Sequence, residues 1–493
     1  MKKFKTKKLI YSSFIILFIL SIIILKIIYD NSSYSNILWL RTNSIIGWIA
    51  LVISIITWKK IRHELVSLYI IYLILLYFFT YGQTLLIVYN LVDESKDLLL
   101  RFSSTEIINM QFFTLLSLLA FHFGALLFCK KPNTNNSNIY NYVFEKDSYN
   151  SKDRKFIMLK AIEYGGLILL VFSVPGFIYD TINTLNTVIQ GGYGAIYGYH
   201  TGGVAGQRIL LRIFEQTGEY FIPALICLLI AYKSHSIKRR LIFSLLILRI
   251  LNGLYIGGRG GAVVLVLVLI MASHYTVRTL NKRKLVKIGI FSYFFVSFLS
   301  IVGQMRGAAN KGGLDYFIAF IESFGKENLF FRTLSELGWT MFPLGAVMRI
   351  VPDQYSFLYG KSYFYALTSI IPNLGFWDIH PAKVYAGGGQ WLMGTLNLWS
   401  GPGFTLIADA YRNFEWVGFI VLIGFGIFFG RVYSSIDKNS INVKPESVCM
   451  VLITFATTVM SVRGDNLYIV RPLVYIVIPI YMLIRIIYNK IIK

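Results

Sequence analysis

Long apolar runs recur along the whole chain, separated by short basic turns. Leu9–Ile28 (LIYSSFIILFILSIIILKII) and Ala262–Val277 (AVVLVLVLIMASHYTV) approach or reach the ~20 residues needed to cross ~30 Å of hydrocarbon. By that length the sequence predicts about twelve transmembrane helices. They fall near 9–28, 43–58, 65–91, 107–128, 157–179, 213–232, 241–256, 262–277, 288–303, 416–433, 447–462 and 470–488. The expected fold is an all-α integral membrane protein with a single polytopic domain, residues 1–493. A hydrophobic share of 56% against 15% charged residues excludes a water-soluble globular chain of this length.

The net charge of +24 invites a nucleic-acid reading, but the cations are distributed by topology. MKKFKTKK at the N-terminus, WKKIR (58–62), CKK (129–131), KDRK (152–155), KSHSIKRR (233–240), RTLNKRKLVK (278–287) and the C-terminal NKIIK all fall on one side under this span count. That positive-inside pattern predicts cytoplasmic termini and leaves no concentrated basic patch for nucleic acid. Lys131–Lys155, rich in Asn and Ser, reads as a flexible cytoplasmic loop. The first apolar run is too long for a signal-peptide core and no small-residue cleavage site follows, so it reads as a retained span. Cys129, Cys227 and Cys449 are far apart and unpaired in sequence, which points to packed helices, with neither a disulfide framework nor a metal site. No internal repeat of the kind found in many transporters is visible.

One segment breaks the apolar pattern. Residues 304–414 are wet, aromatic and arginine-studded, and the sequence places them as a large outer loop containing short amphipathic helices. Arginine marks four outer segments: Arg208 and Arg212, then Arg259, then Arg306, Arg332, Arg349 and Arg412, then Arg463 and Arg471. Its planar fork matches paired phosphate oxygens and keeps its charge, so these residues are candidate contacts for an anionic lipid. Arg259 lies in Gly-Gly-Arg-Gly-Gly (257–261), a frame that lets backbone approach a ligand. Two readings stand there, a diphosphate cradle and an interface arginine snorkelling to lipid head groups.

In Gly401–Phe414 a helix from Phe404 onward puts Asp409, Arg412 and Asn413 on one face by i, i+3, i+4 spacing. They read either as an internal Asp409–Arg412 pair or as contacts to substrate. Glu336 is drawn towards the membrane by its apolar flanks, FFRTLS and LGWTMFP. His380, in Trp377-Asp-Ile-His-Pro, is a candidate proton carrier, set against a plain surface histidine. His200 and the remaining loop carboxylates, among them Glu327, read as surface groups. No HExxH, His/Cys cluster or Walker-type loop is present, so no metal, cofactor or ATP chemistry is indicated.

Gly257–Gly260 in an outer turn, the arginine-bearing loop, a G-x-G-F-[ST]-x-x-A-[DE]-A-Y-x-N-F run at Gly401–Phe414 and the RGDN turn at 463–466 together resemble O-antigen or capsular repeat-unit polymerases of the Wzy type. The chain departs where that family commonly has glycine after Asn-Phe: Glu415 stands here, with Gly418 following. The resemblance implies a GT-C-like membrane glycosyltransferase with no cofactor. Its substrates would be oligosaccharide repeat units on undecaprenyl diphosphate, joined at the outer face of the bacterial cytoplasmic (inner) membrane. A flippase and a chain-length regulator are its expected neighbours. Within it, His380, Asp409 and Glu336 are candidate catalytic groups. Arg259, Arg306, Arg332, Arg349, Arg412, Asn413, Arg463 and Arg471 are candidate substrate contacts. The rivals are an O-antigen ligase, with a similar span count and outer loop, and a flippase or secondary transporter, for which short outer loops are expected.

Overall fold

A computed structural model describes residues 2–87, 89, 91, 97–132, 148–196, 214–277, 279–305, 313–325, 328–373, 377–398, 401–437, 440 and 444–492. Arg208, Arg212, His200, Arg306, Glu327 and most of the 131–155 loop lie outside the described residues. The helices, in chain order, begin with α1 (Lys2–Asp30), α2 (Asn36–Arg62), α3 (Leu68–Ile87), α4 (Ser104–Phe128), α5 (Ser148–Gly191), α6 (Phe221–Ala231), α7 (Ser236–Ile256), α8 (Arg259–Thr276) and α9 (Lys282–Met305). Shorter helices follow: α10 (Gly313–Ser323), α11 (Leu329–Gly338), α12 (Phe342–Ile350), α13 (Lys361–Thr368), α14 (Pro381–Tyr385), α15 (Gly388–Thr395) and α16 (Leu406–Phe414). The chain closes with α17 (Val421–Tyr433), α18 (Pro445–Thr458), α19 (Leu467–Pro472) and α20 (Ile478–Ile492).

Among the described residues the regular structure is all-helical, and eleven helical stretches are long and apolar enough to cross a bilayer. The expected span at 241–256 is the one that falls short. Helix α7 is 21 residues long, but Lys238, Arg239 and Arg240 fill its start and Arg249 interrupts its middle. The chain divides into two compact units: residues 1–132, 331–435 and 460–470 in the first, the remainder in the second.

The first unit is organised around α4. A capping box starts this helix: Ser103 Oγ accepts from Glu106 N at 3.3 Å, and Glu106 Oε2 accepts from Ser103 N at 2.7 Å. From Ile107 to Leu126 almost every side chain is buried, polar ones included. His122, fully buried, is held between Thr57 Oγ1 and Tyr69 OH, each at 2.8 Å, so its polar atoms are satisfied where no water reaches. Helix α17 meets α4 backbone to backbone. A Cβ on Gly426 would strike the Phe121 carbonyl, one on Gly430 would strike Ala125, and one on Gly124 would strike the Ile423 carbonyl. This is the small-residue seam expected where helices associate without a hydrophobic driving force.

In the second unit α5, a 44-residue helix containing Pro175, packs against α6 and α20. The Cys227 and Cys449 sulfurs sit 3.6 Å apart where α6 meets α18. Helix α10 shows what a length criterion cannot see. Phe324 stacks on Phe294 at 5.7 Å and Phe320 meets Phe298 at 5.8 Å. Four residues forward on one helix thus match four back on the other, so the segment runs antiparallel along α9. Phe294 is the midpoint of the Arg283–Met305 span, so the chain after α10 turns, at Gly325 with φ +89°, at about half the depth of that span. Leu314, Phe317, Ile318 and Ile321, at i, i+3, i+4, i+7 spacing, are 75%, 57%, 51% and 57% exposed. A face of that composition at that depth belongs in hydrocarbon. A nitroxide at Ile321→Cys in reconstituted protein is therefore expected to be relaxed strongly by oxygen and weakly by a water-soluble nickel chelate. The reverse ratio would place the helix in water.

Candidate active site

The site lies wholly in the first unit and is built on α16. Thr405 starts the helix, its Oγ1 accepting from Ala408 N at 2.9 Å. Every residue from Leu406 to Asn413 is buried, polar and apolar alike. The helix ends against a loop that answers its last carbonyls: Leu358 N donates to Arg412 O and Tyr359 N to Asn413 O, both at 3.1 Å. Gly360, with φ +88°, completes that loop and donates its N–H to Asn413 Oδ1 at 2.9 Å.

Three elements converge on Asp409, which is fully buried. Ser362 Oγ, at the start of α13, donates to Asp409 Oδ2 at 2.8 Å, and Asn466 Nδ2 donates to the same oxygen. Asn413 Nδ2, one turn on, donates to Ser362 Oγ at 2.7 Å and makes a long 3.4 Å contact with Asp409 Oδ1. Asp465, beside Asn466, accepts from Gly388 N at 3.0 Å and from Leu467 N at 3.1 Å. It thereby caps α15, which has no other side-chain cap. Gly388 must be glycine, because a Cβ there would enter the ring of Phe404.

Arg412 answers the same convergence differently. Its guanidinium lies 3.6 Å from the centre of the Trp391 ring, a cation–π stack. The residue is 6% exposed, and its Nη1 is buried without a hydrogen-bond partner. It forms no ion pair with Asp409: the carboxylate is taken by Ser362, Asn413 and Asn466 instead. A desolvated cation with an open donor is expensive unless an anion answers it.

The other sequence candidates are dispersed. Arg463 is exposed, with its Nε 3.2 Å from where a Cβ on Gly403 would sit, beside the segment leading into α16. Arg349 is taken up by Glu106, its Nε and Nη2 donating to the two carboxylate oxygens at 2.8 and 2.9 Å, and by the Arg101 carbonyl at 3.0 Å. His380 caps α14: Nδ1 accepts from Ala382 N at 3.0 Å and Nε2 stands 2.9 Å from the Ile371 carbonyl. Arg332 and Glu336 lie half-buried on α11. Arg259 and Arg471 belong to the second unit. There the Arg259 Nη1 donates to the Leu299 carbonyl on α9 at 3.3 Å, against Gly303. Sequence reasoning passed over Ser362, Trp391, Asp465 and Asn466. The last two stand in the RGDN turn, where only the arginine was taken up, and Ser362 carries no local signal.

Burial pushes the Asp465 carboxyl up to about 6 from its ordinary 3.8, against the pull of the Leu467, Gly388 and Gly389 N–H groups. The folded chain therefore binds this proton more tightly than the unfolded one. The contribution is present in full below the unfolded value and is lost as pH rises through about 6. A difference of roughly two pH units is worth ~3 kcal/mol. In detergent, the unfolding midpoint of the wild type is expected to fall as pH rises from about 4 to about 6 and to level off above that, with Asp465→Asn flattening the slope; parallel slopes would show Asp465 titrating as it does in water.

The fold and the site together define a multi-pass membrane protein with a buried acid, a stacked arginine and amide side chains drawn together from distant parts of the chain. The chain belongs to the family described as O-antigen polysaccharide polymerase Wzy, whose model matches residues 9–493. It is accordingly a polysaccharide polymerase, a glycosyltransferase-like membrane enzyme. No curated protein and no solved structure matches the chain.

Proposed function

We propose that the enzyme moves a growing polysaccharide from its undecaprenyl diphosphate carrier to the non-reducing sugar of an incoming carrier-linked repeat unit, at the outer face of the cytoplasmic membrane. The observation that carries this reading is Arg412, a buried cation stacked on Trp391 with a donor left open. The acceptor hydroxyl oxygen bonds to the anomeric carbon. The carbon–oxygen bond to the diphosphate breaks with its electron pair, and the carrier diphosphate leaves. Arg412 meets the charge developing on that leaving group, already oriented and desolvated. Asp409 takes the hydroxyl proton at Oδ1, the oxygen whose one side-chain contact among the described residues is the long one to Asn413. Ser362, Asn413 and Asn466 hold the carboxylate. Arg463, beside the entry to α16, serves as a further contact to the diphosphate, with Arg332 as an additional anion contact.

In this reading His380 and Glu336 position the chain and carry no proton, since both ring nitrogens of His380 are engaged with backbone. The one-sided lysine distribution supports cytoplasmic termini and a cytoplasmic 131–155 loop. A flippase would deliver the units, and a chain-length regulator would set when the chain is released. Purified protein given carrier-linked repeat units is expected to lengthen them without nucleotide sugar, releasing one undecaprenyl diphosphate per bond formed. A requirement for nucleotide sugar, or polymer formed without carrier release, would overturn the proposal.

A further inference from the structure

Helix α16 has a second face. Asp409, Arg412 and Asn413 occupy one side, and Tyr411, about 200° round the helix from Asp409 by the α-helical period, points to the other. There it forms one wall of a cavity of about 130 Å³, in the first unit, with Trp416, Asn109, Glu106 and Arg349. For comparison, a cavity of ~150 Å³ accommodates benzene, so this one is about the size of a six-membered ring.

The lining suits one kind of ring. Tyr411 and Trp416 offer apolar aromatic surface, which the C–H faces of a sugar match. Asn109 Oδ1 is buried and has no hydrogen-bond partner, a standing cost unless a ligand hydroxyl or water donates to it. Glu106 and Arg349 are fixed in a two-point pair, 2.8 and 2.9 Å. That pair sets opposite charges against each other at the wall, so nothing there selects an anion.

We propose that this cavity is a sugar subsite, taking one pyranose ring of the saccharide being polymerised. The inference rests on the polymerase reading and adds to it where the saccharide is gripped. A helix with its side chains is ~10–12 Å across, so a ring in the cavity lies about two sugar residues from the Asp409–Arg412 face. The subsite would register the repeat unit so that its reacting end reaches that face. Arg349 is then a substrate-contacting residue through sugar hydroxyls, not through phosphate.

The test uses full-length protein in nanodiscs and, as probe, the repeat-unit oligosaccharide released by mild acid from the host's own surface polysaccharide. Saturation-transfer NMR reads binding, and elongation of carrier-linked units is assayed alongside. Asn109→Leu and Trp416→Leu are expected to weaken oligosaccharide binding about tenfold or more, with the kinetic loss falling in KM more than in kcat. Asn109→Gln, which keeps the amide, is expected to recover part of it. Unfolding midpoints exclude misfolded variants, and Asn109→Gln, the milder change, keeps the question open to decision if Trp416→Leu fails to fold. Binding and KM unchanged in folded Asn109→Leu would overturn the subsite and leave the polymerase reading intact. Oligosaccharide binding that depends on Asn109, in a protein that lengthens no carrier-linked unit, would overturn the polymerase reading and leave the subsite.

Discussion

Arg412→Met is expected to abolish polymer while the protein still folds and reaches the membrane at near-normal abundance. The substitution keeps an unbranched side chain over Trp391 and removes a buried cation whose Nη1 has no partner, so the fold loses little by it. The reaction loses the group that meets the leaving diphosphate. Removing one preorganised donor of this kind costs ~10²–10³ in rate. Arg412→Lys should recover little, because an ammonium cannot reproduce the planar fork or its stacking. Surface polysaccharide resolved on a gel, with abundance measured by immunoblot, reads the outcome. Full-length chains in the Arg412→Met strain would show that the arginine only packs.

The largest structural effect is expected at Gly426. A leucine there would drive its Cβ into the Phe121 carbonyl, where α17 and α4 touch through their backbones. Overpacking of an ordinary core costs ~1–3 kcal/mol because neighbours shift, and here the neighbour is a helix backbone that cannot. Gly426→Leu should therefore leave little folded protein. Gly424→Leu, two residues away, supplies the control, since a Cβ there meets nothing within 4 Å. Size-exclusion profiles in mild detergent distinguish the two. Equal yields of monodisperse protein from both variants would mean that the α4–α17 seam is not the tight contact described here.

Much of the architecture is legible in the sequence, because crossing hydrocarbon imposes a length and a composition that a chain must display in order. The α7 stretch shows the limit of that signal. Its length suits a span, yet its charged start and Arg249 leave it short of the apolar character of the others. Helix α10 shows another limit. Its apolar spacing announces an amphipathic helix, but only the pairing of Phe320 and Phe324 with Phe298 and Phe294 shows that it runs back along a span.

The site divides in the same way. Asp409, Arg412 and Asn413 could be grouped from sequence because helical spacing is local, and the structure keeps them on one buried face. Ser362 and Asn466 lie 47 and 57 residues from Asp409, and Trp391 lies 21 from Arg412, so no periodicity links them to that helix. The same holds for Arg349, which the sequence offered as one more outer arginine. Its partner Glu106 is 243 residues away, and that pairing turns a phosphate candidate into the wall of a different cavity. Sequence by itself determined the spans, their charge asymmetry and the composition of the helix that carries the acid and the arginine, all consequences of short-range pattern and of the solvent each residue must meet. Only the tertiary structure decided that Arg412 stacks on Trp391 with its Nη1 buried and without a hydrogen-bond partner. A side chain's partner is set by what packing brings within ~3 Å of it, and that is a property of the whole chain.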